Sequence, residues 1–249
     1  MSIRGITFDL WDTLVHDDSD ENHRAAKGLR SKRDERRHLV WDALNAETPI
    51  ELDAVVLAYD AVDTAFNKVW KEHHITWPIT ERLELIVRAL NRPRPKAWDA
   101  LVHATSIMEV EMPPDIIEDC SETLHALAND YQLAIVSDAI VTPGTELRRL
   151  LGNHQIVDYF SAFAFSDEVG HSKPHADMFT TVLSEMKLSP GEVVHIGDRD
   201  HNDIKGAQAM GMKAILFTAT RDVDASTTSA DAICNSYPNL LETIRSLNS

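Results

Sequence analysis

The stretch ITFDLWDTLV, residues 6–15, decides the reading of this chain. An apolar run (Ile3, Ile6, Phe8) stops on a carboxylate, Asp9, and is followed by Trp11, a second acid, Asp12, and Thr13. Residues 3–9 read as a short buried strand. In open α/β sheets ligands bind at the carboxyl ends of strands, so a strand that ends on an acid delivers that acid to a ligand edge.

The rest of the sequence supplies such a sheet in two parts. Residues 17–22, DDSDEN, read as a polar break, and from there to about residue 110 the pattern is helical. TPIE at 48–51 reads as a capping signal, with Thr48 as N-cap and Pro49 at the first helical position. Helices are expected after it, from Thr80 to Leu90, and around Trp98, Leu101, Val102 and Met108. After MPPD at 112–115 helices and strands alternate. A helix from Asp115 to Asn129 leads into YQLAIVSD. A helix after Pro143 leads to YFSAFAFSDE, and a helix from His175 to Lys187 leads to VVHIGD. A helical segment at 203–210, KAILFT and DAIC complete the series. Alternation of this kind predicts a Rossmann-like α/β fold, a parallel sheet with helices on both faces. The expected core is residues 1–16 and 112–249, with an inserted α-helical cap domain at 17–111.

The chain has 249 residues, and its net charge of -16 comes from 24 basic and 40 acidic side chains, which disfavours a nucleic-acid partner. Cys120 and Cys234 have no metal-type spacing, and no stretch has the length of a membrane span. With no signal-peptide pattern at the N-terminus, the expected location is the cytoplasm, away from membranes.

Several polar groups fall at strand ends or helix starts: Asp9, then Ser137 and Asp138, then Lys173 in GHSKPHADMF, then Asp198, Asp200, Asn202 and Asp203 in GDRDHND. Clustered carboxylates need a counter-charge. An oxygen-rich set suits Mg²⁺, and a lysine, a serine and backbone N–H groups beside it suit a phosphoryl group.

These segments, in this order, resemble the haloacid dehalogenase superfamily, most of whose members are phosphatases. FDLWDTL, IVSD, SKP and IGDRDHNDIKGAQAMGM match its four motifs, and the helical block matches its α-helical cap of the first type. The resemblance implies Asp9 as nucleophile, Ser137 as phosphate contact, and Lys173 as the group that steadies nucleophile and phosphate. It implies Mg²⁺ held by Asp9, the backbone carbonyl of Trp11 and Asp198, with Asp203 as a ligand or a support, and Thr13 orienting the loop. The implied substrate is a small phosphate ester, since a helical lid covers the site.

One position departs from the family. Its phosphatases carry a second aspartate two residues after the nucleophile, to protonate the leaving oxygen and activate water; here that residue is Trp11. Asp12 is one residue too late on an extended loop to replace it. Three readings follow. The chain is a Mg²⁺-dependent phosphatase that takes its proton from a cap residue, His16 or water. It is a 2-haloacid dehalogenase-like hydrolase, whose relatives carry an aromatic residue at this position. Or it binds phosphate and turns over poorly.

Three further features invite interpretation. HRAAKGLRSKRDERRH at 23–38 carries seven Lys and Arg residues, read as a solvated helix face pairing with acids in preference to an anion-steering surface. His73, His74, His171, His175 and His201 fit no standard zinc spacing and read as surface or pocket-rim residues. Trp41, Trp70 and Trp98 read as core of the cap, with Trp77 at the entrance.

Overall fold

The computed structural model describes residues 2–247. The expected core range therefore includes three residues, Met1, Asn248 and Ser249, that lie outside the described residues. The chain opens with β1 (Gly5–Phe8) and runs through α1 (Ser19–Ala26), α2 (Lys32–Asn45), α3 (Leu52–His73), α4 (Ile79–Ala89), α5 (Trp98–Ser106) and α6 (Met108–Glu111). It continues through α7 (Cys120–Leu127), β2 (Gln132–Ser137), α8 (Gly144–Asn153), β3 (Phe160–Phe165), α9 (Ser166–Val169) and α10 (Ala176–Met186). The last elements are β4 (Val193–Gly197), α11 (Lys205–Ala209), β5 (Lys213–Phe217), β6 (Ala232–Cys234) and α12 (Tyr237–Ser246).

All six strands are parallel, in the order β3-β2-β1-β4-β5-β6. The direction of winding reverses between β1 and β4, which makes their carboxyl ends the switch point. Phe8 pairs with Ile135 on one side and Ile196 on the other, so β1, β2 and β4 end side by side. Alternate residues serve opposite faces. Ile6, Phe8, Leu133, Ile135 and Ile196 pack with leucines of α7, α8 and α12. Ala134, Val136, Val193 and Leu216 pack with Met178, Phe179 and Val182 of α10 and Ala207 of α11. Burial on both faces explains why these strands read as unbroken apolar runs. Helices α2 to α5 enclose a separate cluster that includes Val40, Tyr59, Leu83, Ile86 and Leu101.

Local structure departs from the sequence reading at four places. The supposed break at 17–22 contains the start of α1, entered from Asp18 at φ 57°, with Asp20 and Glu21 in the first turn where the helix dipole favours acids. TPIE does not cap α3, which starts at Leu52 with Glu51 before it. The Ile50 N–H donates to Asn45 Oδ1 (3.1 Å) and its carbonyl accepts from the Trp41 indole (2.8 Å), which holds the segment outside the helix. Residues 115–119 are not helical. Ile116 bridges to Val15, the Ile117 N–H donates to the Leu14 carbonyl (3.0 Å), and Asp119 takes φ 60° before α7 begins. Finally, α12 was not anticipated. Its Tyr237 hydroxyl donates to the Thr13 carbonyl (2.5 Å), while the Thr220 hydroxyl donates to the Asp12 carbonyl (2.7 Å).

The basic segment pairs with acids as expected but is solvated only in part, with Lys27, Arg30 and Arg33 exposed. Arg24, Lys32 and Arg37 are buried. Lys32 Nζ contacts Asp18 (3.0 Å), Asp20 (2.9 Å) and Glu109 (3.1 Å), and Arg36 reaches Glu109 at 3.3 Å. Glu109 also accepts from the Thr142 hydroxyl, which belongs to the segment after β2. Arg37 pairs with Asp60 and lies 4.7 Å over the Tyr59 ring. Acids on facing elements cover these cations, and helical periodicity along one segment carries no record of what faces it. Two further ties join the helical block to the sheet: Arg82 donates to the Ile140 carbonyl (2.6 Å) and the Ser172 N–H to the His74 carbonyl (2.8 Å).

Lys32→Met leaves Asp20 buried without its cation and Glu109 with Arg36 alone, and is expected to cost about 3–5 kcal/mol in urea unfolding. Gly197 ends β4, and a Cβ there would lie 2.3 Å from Asp203 Cγ. Gly197→Ala is therefore expected to cost about 1–3 kcal/mol in the same measurement, as for other overpacked sites.

Candidate active site

Four side chains expected from the sequence meet at the switch point. Asp9 follows β1, and its N–H donates to the Ile196 carbonyl (2.9 Å), which locks it to β4. Lys173 Nζ lies 2.5 Å from Asp9 Oδ1 and 2.6 Å from Asp203 Oδ1. Asp203 is carried by a π-helical turn, Asp200–Ile204, and its other oxygen accepts the Arg199 N–H at 3.0 Å. The turn brings Asp203 back toward the end of β4, where the lack of a Cβ on Gly197 leaves space for it. His195 Nε2 lies 3.2 Å from Asp203 Oδ1, and its Nδ1 lies 2.8 Å from the Thr7 hydroxyl. Asp198 is buried; Arg221 donates to its carbonyl at 2.8 Å, with Arg199 and Arg221 each 3.4 Å from Oδ2.

The electrostatics show an excess of acid. Burial pushes Asp9 up, and Asp203 adds to this, while Lys173 opposes it. Burial also works against ionisation of Asp203, but Lys173 and His195 outweigh it and hold that carboxyl well below the usual carboxylate range. Burial would lower Lys173, and Asp203, Asp9 and Asp138 instead hold it above the usual lysine range. Asp198 is pushed up to about 8 by burial, Asp9 and Asp203. One lysine therefore does not neutralise the cluster.

The donor set fits a hard divalent cation. Asp9, Asp198 and Asp203 each offer a carboxylate oxygen, and these three atoms lie within 4.8 Å of one another. Asp198 Oδ1 is buried and has no hydrogen-bond partner among the described residues. An oxygen-only set with uncompensated charge and an orphaned lone pair suits Mg²⁺ or Ca²⁺ over softer metals.

A cavity of about 160 Å³ opens over Asp9, Lys173 and Asp203. Trp11 lines it, with its indole N–H donating to the Asp138 carbonyl at 3.2 Å. Asp138 lines it too; Oδ1 accepts the Lys173 N–H (2.9 Å), and burial pushes this carboxyl up to about 6. Thr13 and Ser137 are fully buried and are not among the residues that line the cavity. Thr13 Oγ1 has no partner among the described residues, and the Ser137 hydroxyl points to the Asp138 carbonyl at 3.5 Å.

The opposite wall comes from the helical block: Asp17, Asp18, Lys32, Arg36, Trp70 and Glu109. Trp70, expected in the core of that block, faces this cavity, whereas Trp77 packs on Phe66 with ring centroids 6.0 Å apart. His16 is not among the lining residues. His74 and His201 line a neighbouring depression that shares Lys173. Sequence reasoning missed His195 and the wall residues Asp17, Lys32, Arg36 and Glu109. A histidine inside the apolar run VVHIG was a readable signal for the first. Nothing in the linear pattern marked the others, because their meaning comes from the elements they face.

The sequence matches the haloacid dehalogenase-like hydrolase family over residues 3–211. It is similar to the glyceraldehyde 3-phosphate phosphatase of Pyrococcus furiosus, at 26% identity over 99% of this chain and 95% of that protein. Among solved structures, a HAD phosphatase from Thermococcus onnurineus superposes with a TM-score of 0.65 at 19% identity, covering 97% of this chain and 98% of the other. A 2-haloacid dehalogenase from Pseudomonas syringae pv. Tomato superposes with a TM-score of 0.53 at 20% identity, covering 98% of this chain and 99% of the other. The motifs, the parallel sheet and the match over most of the chain agree, and the chain belongs to the haloacid dehalogenase-like hydrolase family.

Proposed function

We propose that this hydrolase is a Mg²⁺-dependent phosphatase of small phosphate esters, working through an aspartyl-phosphate on Asp9. The observation that carries the reading is the orphaned, buried Asp198 oxygen beside Asp9 and Asp203, an acid excess that a divalent cation would relieve. The similarity to a glyceraldehyde 3-phosphate phosphatase supports it. Residues 17–111 act as a lid on the core formed by 1–16 and 112–249, because the lid supplies one wall of the cavity. A cavity of about 160 Å³ suits a small molecule. Among the described residues no helix is long and apolar enough to cross a membrane, and the acidic charge disfavours nucleic acid, so we place the reaction in the cytoplasm.

In this reading Asp9 attacks phosphorus, and Lys173 keeps it ionised and aimed. Asp203 fixes Lys173 from the far side, and His195 fixes Asp203. The backbone around Asp138 contacts the phosphoryl group, while Ser137 and Thr13, buried beside the cavity, shape the loops after β2 and β1. Held by Asp9, Asp198 and the Trp11 carbonyl, with Asp203 as a further ligand or support, Mg²⁺ would screen charge on the transferring group. A haloacid dehalogenase-like reaction is the second reading. Trp11 favours it, and the Asp198 acid excess, which suits a metal that reaction does not need, argues against it.

Phosphate release from a panel of phosphomonoesters tests the reading. The expected outcome is turnover with Mg²⁺, loss of turnover on chelation, and no turnover in Asp9→Asn. In a thermal-shift assay Mg²⁺ is expected to raise the Tm of the wild type and to raise that of Asp198→Asn much less. Chloride release from a 2-haloacid in the presence of chelator, without phosphate release from any ester, would instead select the dehalogenase reading.

A further inference from the structure

Trp11 carries no transferable acidic proton, yet hydrolysis of an unactivated phosphate ester needs one for the leaving oxygen and a base for water. The cavity wall holds the candidates. Besides Asp9 and Asp203, four carboxyl groups line it: Asp17, Asp18, Glu109 and Asp138. Three are engaged. Asp18 pairs with Lys32 at 3.0 Å. Glu109 takes Lys32, Arg36 and the Thr142 hydroxyl. Asp138 accepts the Lys173 N–H at 2.9 Å. The Asp17 carboxyl has no hydrogen-bond or ion-pair partner among the described residues. Its backbone, by contrast, is tied down. The Asp17 N–H donates to Asp12 Oδ1 (3.2 Å), the Asp12 N–H to the Val15 carbonyl (2.8 Å), and the Thr220 hydroxyl to the Asp12 carbonyl (2.7 Å). Asp12 at φ 56° turns the loop so that Asp17 returns to the cavity opened by Asp9.

We propose that Asp17 is the acid and base that Trp11 displaced. The proposal rests on the phosphatase reading. In the first step an Asp9 oxygen bonds to phosphorus, the bond from phosphorus to the ester oxygen breaks, and that oxygen takes the proton of the Asp17 carboxyl. The alcohol leaves. In the second step the Asp17 carboxylate takes a proton from water, the water oxygen bonds to phosphorus, and the bond to Asp9 breaks. Inorganic phosphate leaves, and Asp17 is protonated again.

The surroundings suit both roles. Asp17 keeps an exposed surface toward the cavity, yet the protein around it, with Asp18 and Asp12, pushes its carboxyl up to about 6. Around it stand Asp12 and Asp18 on its own loop, Lys32 of α2, Glu109 of α6, and Arg199 after β4. Lys32 lowers it and Glu109 raises it. A pKa there leaves both protonation states populated near neutrality, as a group that gives and retakes a proton requires.

The test compares wild type with Asp17→Asn on an alkyl phosphomonoester and on 4-nitrophenyl phosphate, whose leaving group needs no proton. Alkyl turnover is expected to fall about 10²–10⁴-fold, the usual contribution of a positioned acid or base. With 4-nitrophenyl phosphate, Asp17→Asn is expected to release a rapid burst of one equivalent of 4-nitrophenolate and then slow, since phosphorylation survives and hydrolysis lacks its base. The burst also establishes that the variant is folded. In wild type, kcat/KM for the alkyl ester is expected to decline as pH rises past about 6, because only protonated Asp17 serves the first step. That limb should be missing in Asp17→Asn, and Trp11→Asp added to it should restore alkyl turnover. Unchanged alkyl turnover and pH profile in Asp17→Asn would overturn the role of Asp17 and leave the phosphatase reading standing. A wild type inert toward every phosphomonoester would overturn both.

Discussion

The ammonium group of Lys173 is the constraint on which this structure turns. It lies within 2.6 Å of the carboxylates of Asp9 and Asp203, almost fully buried at the floor of the cavity. Neither Asp9 nor Asp203 could remain ionised there alone, since an isolated buried charge is prohibitively costly. The parallel sheet exists, functionally, to hold these groups in register. Asp9 follows from the pairing of Phe8 with Ile196, and Asp203 from a widened helical turn that Gly197 makes room for. One lysine among several acids leaves negative charge over, and the proposed Mg²⁺ site rests on that remainder.

A second ion cluster mirrors the first. Lys32 stands among Asp18, Asp20 and Glu109 much as Lys173 stands between Asp9 and Asp203. The first is the proposed catalytic cluster, and the second ties α1, α2 and α6 together. Both border one cavity, so the roof is charged on its inner side as well as the floor. The cavity offers apolar surface from Trp11, Trp70, Ile140 and Val141 beside the charged groups of both clusters.

The floor was largely legible in the sequence and the roof was not. Asp9, Lys173, Asp198 and Asp203 sit at strand ends or helix starts, and the alternation of strands and helices brings such positions to one edge. Thr13 and Ser137 were also read, but both are buried away from the cavity, so their influence passes through the backbone they shape. The roof resisted because its residues are defined by what they face. Seven cations in one helical segment look the same whether water or acids lie opposite. Asp17 reads as part of a polar break because the left-handed turn at Asp12, which returns the loop to the cavity, depends on contacts with Val15 and Thr220. TPIE failed for a related reason, since Trp41 and Asn45 claimed the Ile50 backbone before the helix could.

The ties between the loop after β1 and the last part of the chain bear on how the protein is made. Asp12 is held by a residue 208 positions later, and Thr13 by one 224 positions later. A ribosome delivers β1 first, and its partner β4 nearly two hundred residues afterwards. The lid helices, whose contacts are mostly local, can assemble while β1 is still unpaired. The loop that carries Asp9 therefore leaves the exit tunnel long before the residues that anchor its backbone. Until those residues emerge, the Asp9 loop lacks its Thr220 and Tyr237 anchors, and the backbone geometry around Asp9 is complete only once both have docked.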